Sequence, residues 1–251
     1  MNSLAVSMFV FVAVFVSAIA GLLLRGLLPE QHLSAESKRV IQLGMGLVGT
    51  MTALVLGLLV ASAKGSFDAQ STEITQASAN VILLDRLLGH YGPETKEIRE
   101  DLRSTLAHVL EVMWSENRHG SAQLGTEFTG SEILYEKIHN LSPQNDLQRT
   151  LQLQASNLVM NLAQTRWLLF EQGATSVSKP MLIVMLFWLA IIFMSWGLFA
   201  PPNATVIATL LVAALSVSSA IFLILEMYSP YSGLIQVSSA PLRVALAQLG
   251  H

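Results

Sequence analysis

Four runs of apolar residues, each free of charged side chains, alternate with more polar segments along the chain. A helix needs about 20 apolar residues to cross the roughly 30 Å of hydrocarbon in a bilayer, and each run approaches or exceeds that length. The pattern therefore predicts four transmembrane helices, at Leu4–Leu24, Val40–Ala63, Met181–Phe199 and Ala204–Leu225.

The first run has an alternative interpretation as a cleaved signal peptide, because Ala18-Ile19-Ala20 resembles a cleavage site. A signal peptide usually begins with basic residues and ends its apolar run at the cleavage site. Met1-Asn2-Ser3 has no basic residue, and the apolar run continues past Ala20. These features favour a retained membrane span.

The second run is predicted to continue as a helix beyond its apolar part. No helix-breaking segment follows until Gly89, Gly92 and Pro93. Past Lys64 the apolar residues become seven apart, a spacing typical of a helix that packs on a partner in water. These residues are Phe67, Ile74, Val81 and Leu88. The sequence thus predicts one continuous helix, Val40–Tyr91, which runs from the bilayer into a soluble domain.

Small residues recur at every fourth position of this helix: Gly49, Ala53, Gly57, Ala61 and Gly65. This small-xxx-small pattern lets helices approach closely in lipid. One interpretation is that the ridge packs against other spans of the same chain. The other is that it faces neighbouring subunits or lines a pore, with hydroxyls from Thr50 and Thr52. Lys64 would then form a positive ring at one mouth, which favours anions.

The polar insert between the second and third spans is predicted to be entirely helical. Of the 14 Lys and Arg residues ten lie between Lys64 and Lys179, and so do fourteen of the 17 Asp and Glu residues. Ser142-Pro143 is typical of a helix start, and Thr129-x-x-Glu132 resembles a capping box. Four parts follow: membrane helices in 1–63, a helical soluble domain in 64–179, membrane helices in 180–226 and an interfacial tail in 227–251.

The composition excludes several classes of function. Only 12% of the residues are charged, against about 25% in soluble domains, and a net charge of −3 predicts no nucleic-acid partner. The chain has no cysteine, its six histidines are scattered, and its one Gly-x-Gly-x-x-Gly string falls inside a span, so we predict no enzyme, cofactor or metal site. Glu226 is a candidate intramembrane acid; the alternative is an interfacial residue at a helix end.

Four spans place both termini and the insert on the same side of the membrane. Lys64, Arg166, Lys179 and Arg243 lie near span ends on that side, against Arg25, Lys38 and Arg39 on the other. Because cytoplasmic loops carry the excess of Lys and Arg, the count favours a cytoplasmic insert and cytoplasmic termini.

Three long strings resemble the bestrophin-like domain family, a group of mostly bacterial membrane proteins. They are TMTALVLGLLVASAKGSFD (50–68), WGLFAPPN (196–203) and AIFLILEMYSPYSGLIQVSSAPL (220–242) followed by Arg243, and Asn80 and the Leu-Leu-Asp-Arg string ending at Arg86 add to the similarity. One departure is Met227-Tyr228-Ser229, where the family is expected to carry an acidic–basic pair, so no ion pair is carried over.

The resemblance implies an architecture rather than a site. Bestrophins are pentameric chloride channels with four spans per subunit, a pore lined by the second span and a cytosolic helical domain. We therefore expect a bacterial inner-membrane protein, a homo-oligomer by analogy with that pentamer, that conducts small anions along its second span. The alternative is a non-conducting membrane-anchored scaffold whose insert binds a partner. An ion-coupled transporter is the weakest hypothesis, since only Glu226 is a candidate acid.

Overall fold

The computed structural model describes residues 3–29, 34–114, 130–174 and 179–250. Every regular secondary-structure element in these residues is a helix, and none of them is a strand. The helices are α1 (Ser3–Arg25), α2 (Ala35–Tyr91), α3 (Lys96–Met113), α4 (Gly130–His139), α5 (Asp146–Ala174), α6 (Lys179–Phe199), α7 (Ala204–Met227) and α8 (Ala240–Gln248). In this part of the chain four of them, α1, α2, α6 and α7, are long and apolar enough to cross a membrane. The predicted all-α membrane protein with four spans is confirmed. Thr129 of the predicted capping box lies outside the described residues.

Helix α2 is a single helix of 57 residues, as predicted, and it begins five residues earlier than expected. Ser34 sets this start, because its hydroxyl oxygen accepts a hydrogen bond of 3.3 Å from the Ser37 N–H group. The end at Tyr91 follows from Gly92, whose φ of 145° lies in a region that side chains rarely adopt, and from Pro93 at the start of the next turn.

Internal contacts divide the chain into two units, and the first comprises residues 1–64 and 177–227. Here α1 packs against both α6 and α7. Its buried face consists of Ser7, Val10, Val14, Ala18 and Gly21. The backbones of α1 and α6 approach so closely that a β-carbon on Gly197 would lie 2.0 Å from the Ala18 carbonyl oxygen. Small residues therefore hold these two spans together.

The second unit comprises residues 65–176 and 228–251 and contains a large hydrophobic core. The predicted heptad of α2 contributes directly, since Ile74, Val81 and Leu88 are buried there and Phe67 packs against them. Helices α3, α4 and α5 supply most of the remaining core residues.

The C-terminal segment belongs to this second unit. Its buried residues Tyr231, Val237, Leu242, Ala245 and Leu249 lie in the same core as the heptad of α2. The division into four parts stays a prediction, but this segment differs from the separate interfacial tail expected in 227–251. The physical reason is that these apolar side chains lose their contact with water by packing on α2 and α3.

Polar contacts also attach the C-terminal segment to the unit. Ser78 donates a hydrogen bond of 2.7 Å to the Pro241 carbonyl. Asp85 is buried, and its carboxylate accepts two hydrogen bonds of 2.7 and 2.8 Å from Arg99 and a third of 3.3 Å from the Gly250 N–H group. The hydrogen bond to Asp85 raises the pKa of Arg99. Asp85 thus links α2, α3 and the residues that follow α8.

Candidate pore-facing surface of α2

The membrane part of α2 is the least covered of the four spans. Only 11% of its most apolar window is buried, compared with 28%, 33% and 28% for α1, α6 and α7. In a membrane a helix surface without protein neighbours faces lipid or another molecule of protein. The side chains on this surface therefore determine what α2 is suited to contact.

The predicted ridge of small residues does not lie on a single face. A spacing of four residues advances about 400° around a helix, so each step drifts by about 40°. Gly49, at one end, lines a cavity of about 390 Å³ between α2 and α6, together with Lys38, Gln42 and Trp196 among others. Ala53, Gly57, Ala61 and Gly65 are instead exposed.

The exposed part of the ridge has room around it. A β-carbon built on Gly57 or Gly65 would meet no heavy atom within 4 Å among the described residues. At Gly21 of α1 a β-carbon would lie 2.1 Å from the Met194 carbonyl oxygen. Among the described residues nothing packs closely on Gly57 or Gly65, so the structure gives no support to the interpretation that this part of the ridge packs within the chain. What faces them stays a prediction.

Three candidate residues share one narrow stripe of α2. Thr50, Gly57 and Lys64 are seven residues apart, so they lie within about 40° of one another around the helix. All three are exposed. The Thr50 hydroxyl donates a hydrogen bond of 2.7 Å to the Gly46 carbonyl, and its oxygen can still accept one from outside. We call Thr50, Gly57 and Lys64, with Ala53 and Ala61 beside them, the exposed stripe.

The prediction that Thr52 adds a second pore hydroxyl is wrong. Thr52 is only 5% exposed, and its hydroxyl donates to the Val48 carbonyl at 2.8 Å. Residues two apart on a helix lie about 200° apart, so Thr50 and Thr52 face opposite sides.

Glu226, the candidate intramembrane acid, is buried near the end of α7 with 4% exposure. Its carboxylate accepts a hydrogen bond from the Ser3 hydroxyl at the start of α1. An ionisable residue at membrane depth is normally paired in this way. The contact gives Glu226 a structural role between two spans; a further functional role stays a prediction.

The close contact of α1 with α6, at Gly21 on one helix and Gly197 on the other, was missed in the sequence. A signal for it exists, because the small residues Ser7, Ala18 and Gly21 share one helical face of α1 with Val10 and Val14. Arg25, expected only as a flanking charge, donates a hydrogen bond of 2.5 Å to the Ala200 carbonyl in the turn between α6 and α7. Contacts between residues so distant in sequence have no local pattern.

These features define an all-α membrane protein with four spanning helices and a helical segment between the second and third spans. The chain belongs to the bestrophin-like domain family, whose profile matches residues 10–242.

Solved structures similar in fold include two variants of a bacterial bestrophin homologue from Klebsiella pneumoniae. The variant with a tyrosine-to-alanine substitution has a TM-score of 0.64 at 13% identity, and the one with an isoleucine-to-threonine substitution has 0.61 at 14% identity. Each match covers 96% of this chain and 97% of the other. A variant described as a membrane protein has a TM-score of 0.63 at 13% identity and covers 97% of both chains. No curated protein matches the chain.

Proposed function

We propose that the protein is a homo-oligomeric ion channel that conducts anions passively, with its pore along α2. The observation that carries the proposal is the exposed stripe of small residues on the least covered span. A helix that faced only lipid would gain nothing from small residues there, because larger apolar side chains pack equally well against acyl chains. Small residues gain most when another helix or a narrow conduit lies beside them.

Copies of α2 arranged around an axis would bring the stripe to the centre. Thr50 would supply acceptor oxygens, Gly57 would leave space, and Lys64 would form a ring of positive charge at the end of the apolar part. Such a ring attracts anions and repels cations. The likeness to a bacterial bestrophin homologue supports a ring of subunits, five by analogy with bestrophins, although a shared fold does not by itself fix function.

We place the protein in a bacterial inner membrane, with the segment between the second and third spans and both termini in the cytoplasm. The excess of Lys and Arg near span ends supports this orientation. The bilayer and small anions are then the partners of the chain, and its passive transport needs no cofactor or catalytic residue.

Chloride efflux from proteoliposomes tests the proposal. We expect the purified protein to release chloride, and Lys64→Glu to lower the flux by about tenfold or more, since about 1.4 kcal/mol of added barrier suffices. The same substitution should shift the selectivity toward cations. Lys64→Arg keeps the charge and serves as the matched control.

Two results would count against the channel. Efflux from the wild-type vesicles that equals efflux from empty vesicles would favour the non-conducting scaffold. Unchanged chloride flux and selectivity in Lys64→Glu would show that the charge of Lys64 plays no part in conduction.

A further inference from the structure

The cavity of about 390 Å³ between α2 and α6 lies in the membrane part of the first unit. One face of each helix forms its wall, since the lining residues recur every three or four positions. On α2 this face runs from Lys38 to Gly49, and on α6 it runs from Ile192 to Phe199. The volume lies in the range of about 300–1,000 Å³ that is typical of ligand pockets.

The cavity is about as long as one leaflet of a bilayer is thick. Lys38 and Gly49 are 11 positions apart in the sequence, which is about 16 Å along a helix. The hydrocarbon of a whole bilayer is about 30 Å thick. Lys38 lies in the first turn of α2 and Ala200 directly follows α6, and both line the cavity. The cavity therefore extends from one membrane surface to about the middle of the bilayer.

The surface end of the cavity is surrounded mostly by positive charge. Lys38 lines the cavity, and Arg39 follows it in the sequence. Arg25 donates a hydrogen bond of 2.5 Å to the carbonyl of Ala200, another lining residue. Their acidic neighbour Glu36 is exposed. Basic pockets between transmembrane helices bind the headgroups of anionic lipids.

The deep end of the cavity is apolar, and α2 presents no side chain there that would obstruct it. A β-carbon on Gly46 or Gly49 would meet no atom of another described residue within 4 Å, their own helix backbone aside. On the opposite wall Ile192 is buried, and the Trp196 ring packs on Phe193 with 4.9 Å between the centroids. This end is therefore suited to a flexible apolar chain.

We propose that this cavity binds an anionic phospholipid of the surrounding bilayer, with one acyl chain between α2 and α6. The lipid phosphate accepts a charge-assisted hydrogen bond from the Lys38 ammonium group. Gln42 and Ser195 lie about one helix turn deeper, at the depth of the ester groups, and the acyl chain lies along Gly46 and Gly49.

The apolar length of the cavity assigns a lipid rather than a free anion, because a free anion would use only the surface end. The inference concerns the membrane part of the chain and does not rest on ion conduction.

Native mass spectrometry of the full chain in a neutral detergent tests the inference, because it counts bound lipids. The probes are phosphatidylglycerol and phosphatidylcholine with identical acyl chains. We expect phosphatidylglycerol to bind about tenfold more tightly, because only phosphatidylcholine carries a positive group that Lys38 repels. Glycerol 3-phosphate has the phosphate without acyl chains, and it should not displace phosphatidylglycerol.

Two pairs of variants separate the headgroup from the acyl chain. Lys38→Gln should remove the preference for phosphatidylglycerol, whereas Arg39→Gln, at the exposed neighbouring position, should keep it. Gly49→Leu obstructs the deep end and should weaken binding of both lipids by about tenfold. Gly44→Leu is the matched control, because Gly44 also has space around it but does not line the cavity, so binding should be unchanged.

Equal binding of the two lipids, or displacement by glycerol 3-phosphate, would overturn the inference. So would an unchanged preference in Lys38→Gln, or an equal loss of preference in Arg39→Gln. The same spectra count subunits: fewer subunits in Gly49→Leu with unchanged lipid binding would mean that another copy of the chain occupies the cavity, which also overturns the inference. The Lys38 and Arg39 variants decide the question even where Gly49→Leu fails to fold.

Discussion

Glycines of the membrane-spanning helices fall into two groups with different surroundings. Gly21 and Gly197 lie where α1 and α6 touch, and a β-carbon on either would collide with a backbone carbonyl. Gly44 and Gly57 of α2 have no atom of another described residue within 4 Å of where a β-carbon would lie, their own helix backbone aside. Glycine therefore allows close packing within the chain where α1 meets α6, whereas on α2 it leaves an exposed surface without side chains.

The two groups predict opposite responses to Gly→Ala substitution. Gly21→Ala should lower the free energy of unfolding by about 1–3 kcal/mol, because α1 and α6 must separate to admit the methyl group. Gly44→Ala is the matched control, and it should be neutral or gain up to about 1 kcal/mol, because alanine restricts the unfolded chain. Thermal unfolding of both variants in the same detergent measures the difference.

Equal melting temperatures for Gly21→Ala and the wild type would contradict the close contact between α1 and α6.

The sequence predicts the surroundings of some single residues and not of others. The exposure of Thr50 and the burial of Thr52 follow from helix geometry only after the direction of the core is known. Small residues on α1 were visible in the sequence, but Gly197, which packs on Ala18 of that helix, lies 179 positions further along the chain. No local pattern joins positions so far apart, so the sequence alone does not show that the close intrachain contact lies between α1 and α6.

At the scale of elements, α2 was predictable because each half carries its own signal. An uncharged apolar run identifies its membrane half, and the heptad ending at Leu88 identifies the half that packs in the second unit. The C-terminal segment carries no comparable period, since only α8 within it is regular and spans nine residues. Its place in the core depends on isolated residues such as Tyr231 and Val237.

Tyr231 makes the attachment of this segment sensitive to alkaline pH. Burial, and then the charge of Glu73, raise the pKa of the Tyr231 hydroxyl above its ordinary value of 10.0. The folded chain therefore keeps this proton at a pH where the unfolded chain loses it. The Tyr231 hydroxyl therefore makes its full contribution to the free energy of unfolding below pH 10. Above pH 10 this free energy falls by up to about 1.4 kcal/mol per pH unit.

Tyr231→Phe should reduce the alkaline loss of stability. The ring contact with Trp114, 5.7 Å between centroids, can persist in the variant, and the removed hydroxyl has no hydrogen-bond partner among the described residues. Stability at pH 7 should then be equal or higher. Some alkaline loss should remain, because burial also raises the pKa of Tyr91. Thermal unfolding between pH 7 and pH 11 measures both effects.

Tyr135→Phe, at an exposed position of α4, is the matched control. Its stability should depend on pH between pH 7 and pH 11 as that of the wild type does. An unchanged alkaline loss in Tyr231→Phe would show that the C-terminal segment does not bury this residue.

At the scale of the whole molecule, the exposed stripe predicts that α2 contacts further copies of the chain. Ala53→Leu should lower chloride flux from proteoliposomes by about tenfold, because a larger side chain prevents close approach or narrows the conduit. Ala208→Leu, at an exposed position of α7, is the matched control and should conduct normally. Both alanines lie in membrane spans and are exposed in the single chain.

Wild-type chloride flux in both variants would show that the exposed stripe does not line the pore. Reduced flux in both would indicate that any larger side chain on the spans disturbs the protein.

The architecture of the whole chain was predictable from hydropathy, since each of the four spans has its own uncharged run. A cavity of about 110 Å³ in the second unit, lined mostly by apolar side chains, was not predictable. Ser131 and Arg166, which both line it, lie 35 positions apart on different helices, and α4 packs against α5. The Ser131 hydroxyl has no hydrogen-bond partner among the described residues, and this depends on its three-dimensional surroundings, which have no signature along the chain.

The continuity of α2 constrains how its sequence can change in length. Each residue added between Gly57 and Ile74 would rotate everything beyond it by about 100° about the helix axis. Residues of α2 before and after the change would then no longer share the helix faces that they share now. Only an insertion or deletion of about seven residues, close to two full turns, returns both to their faces. The number of residues between these positions is therefore expected to vary in steps of one heptad, whereas a flexible linker would tolerate any length.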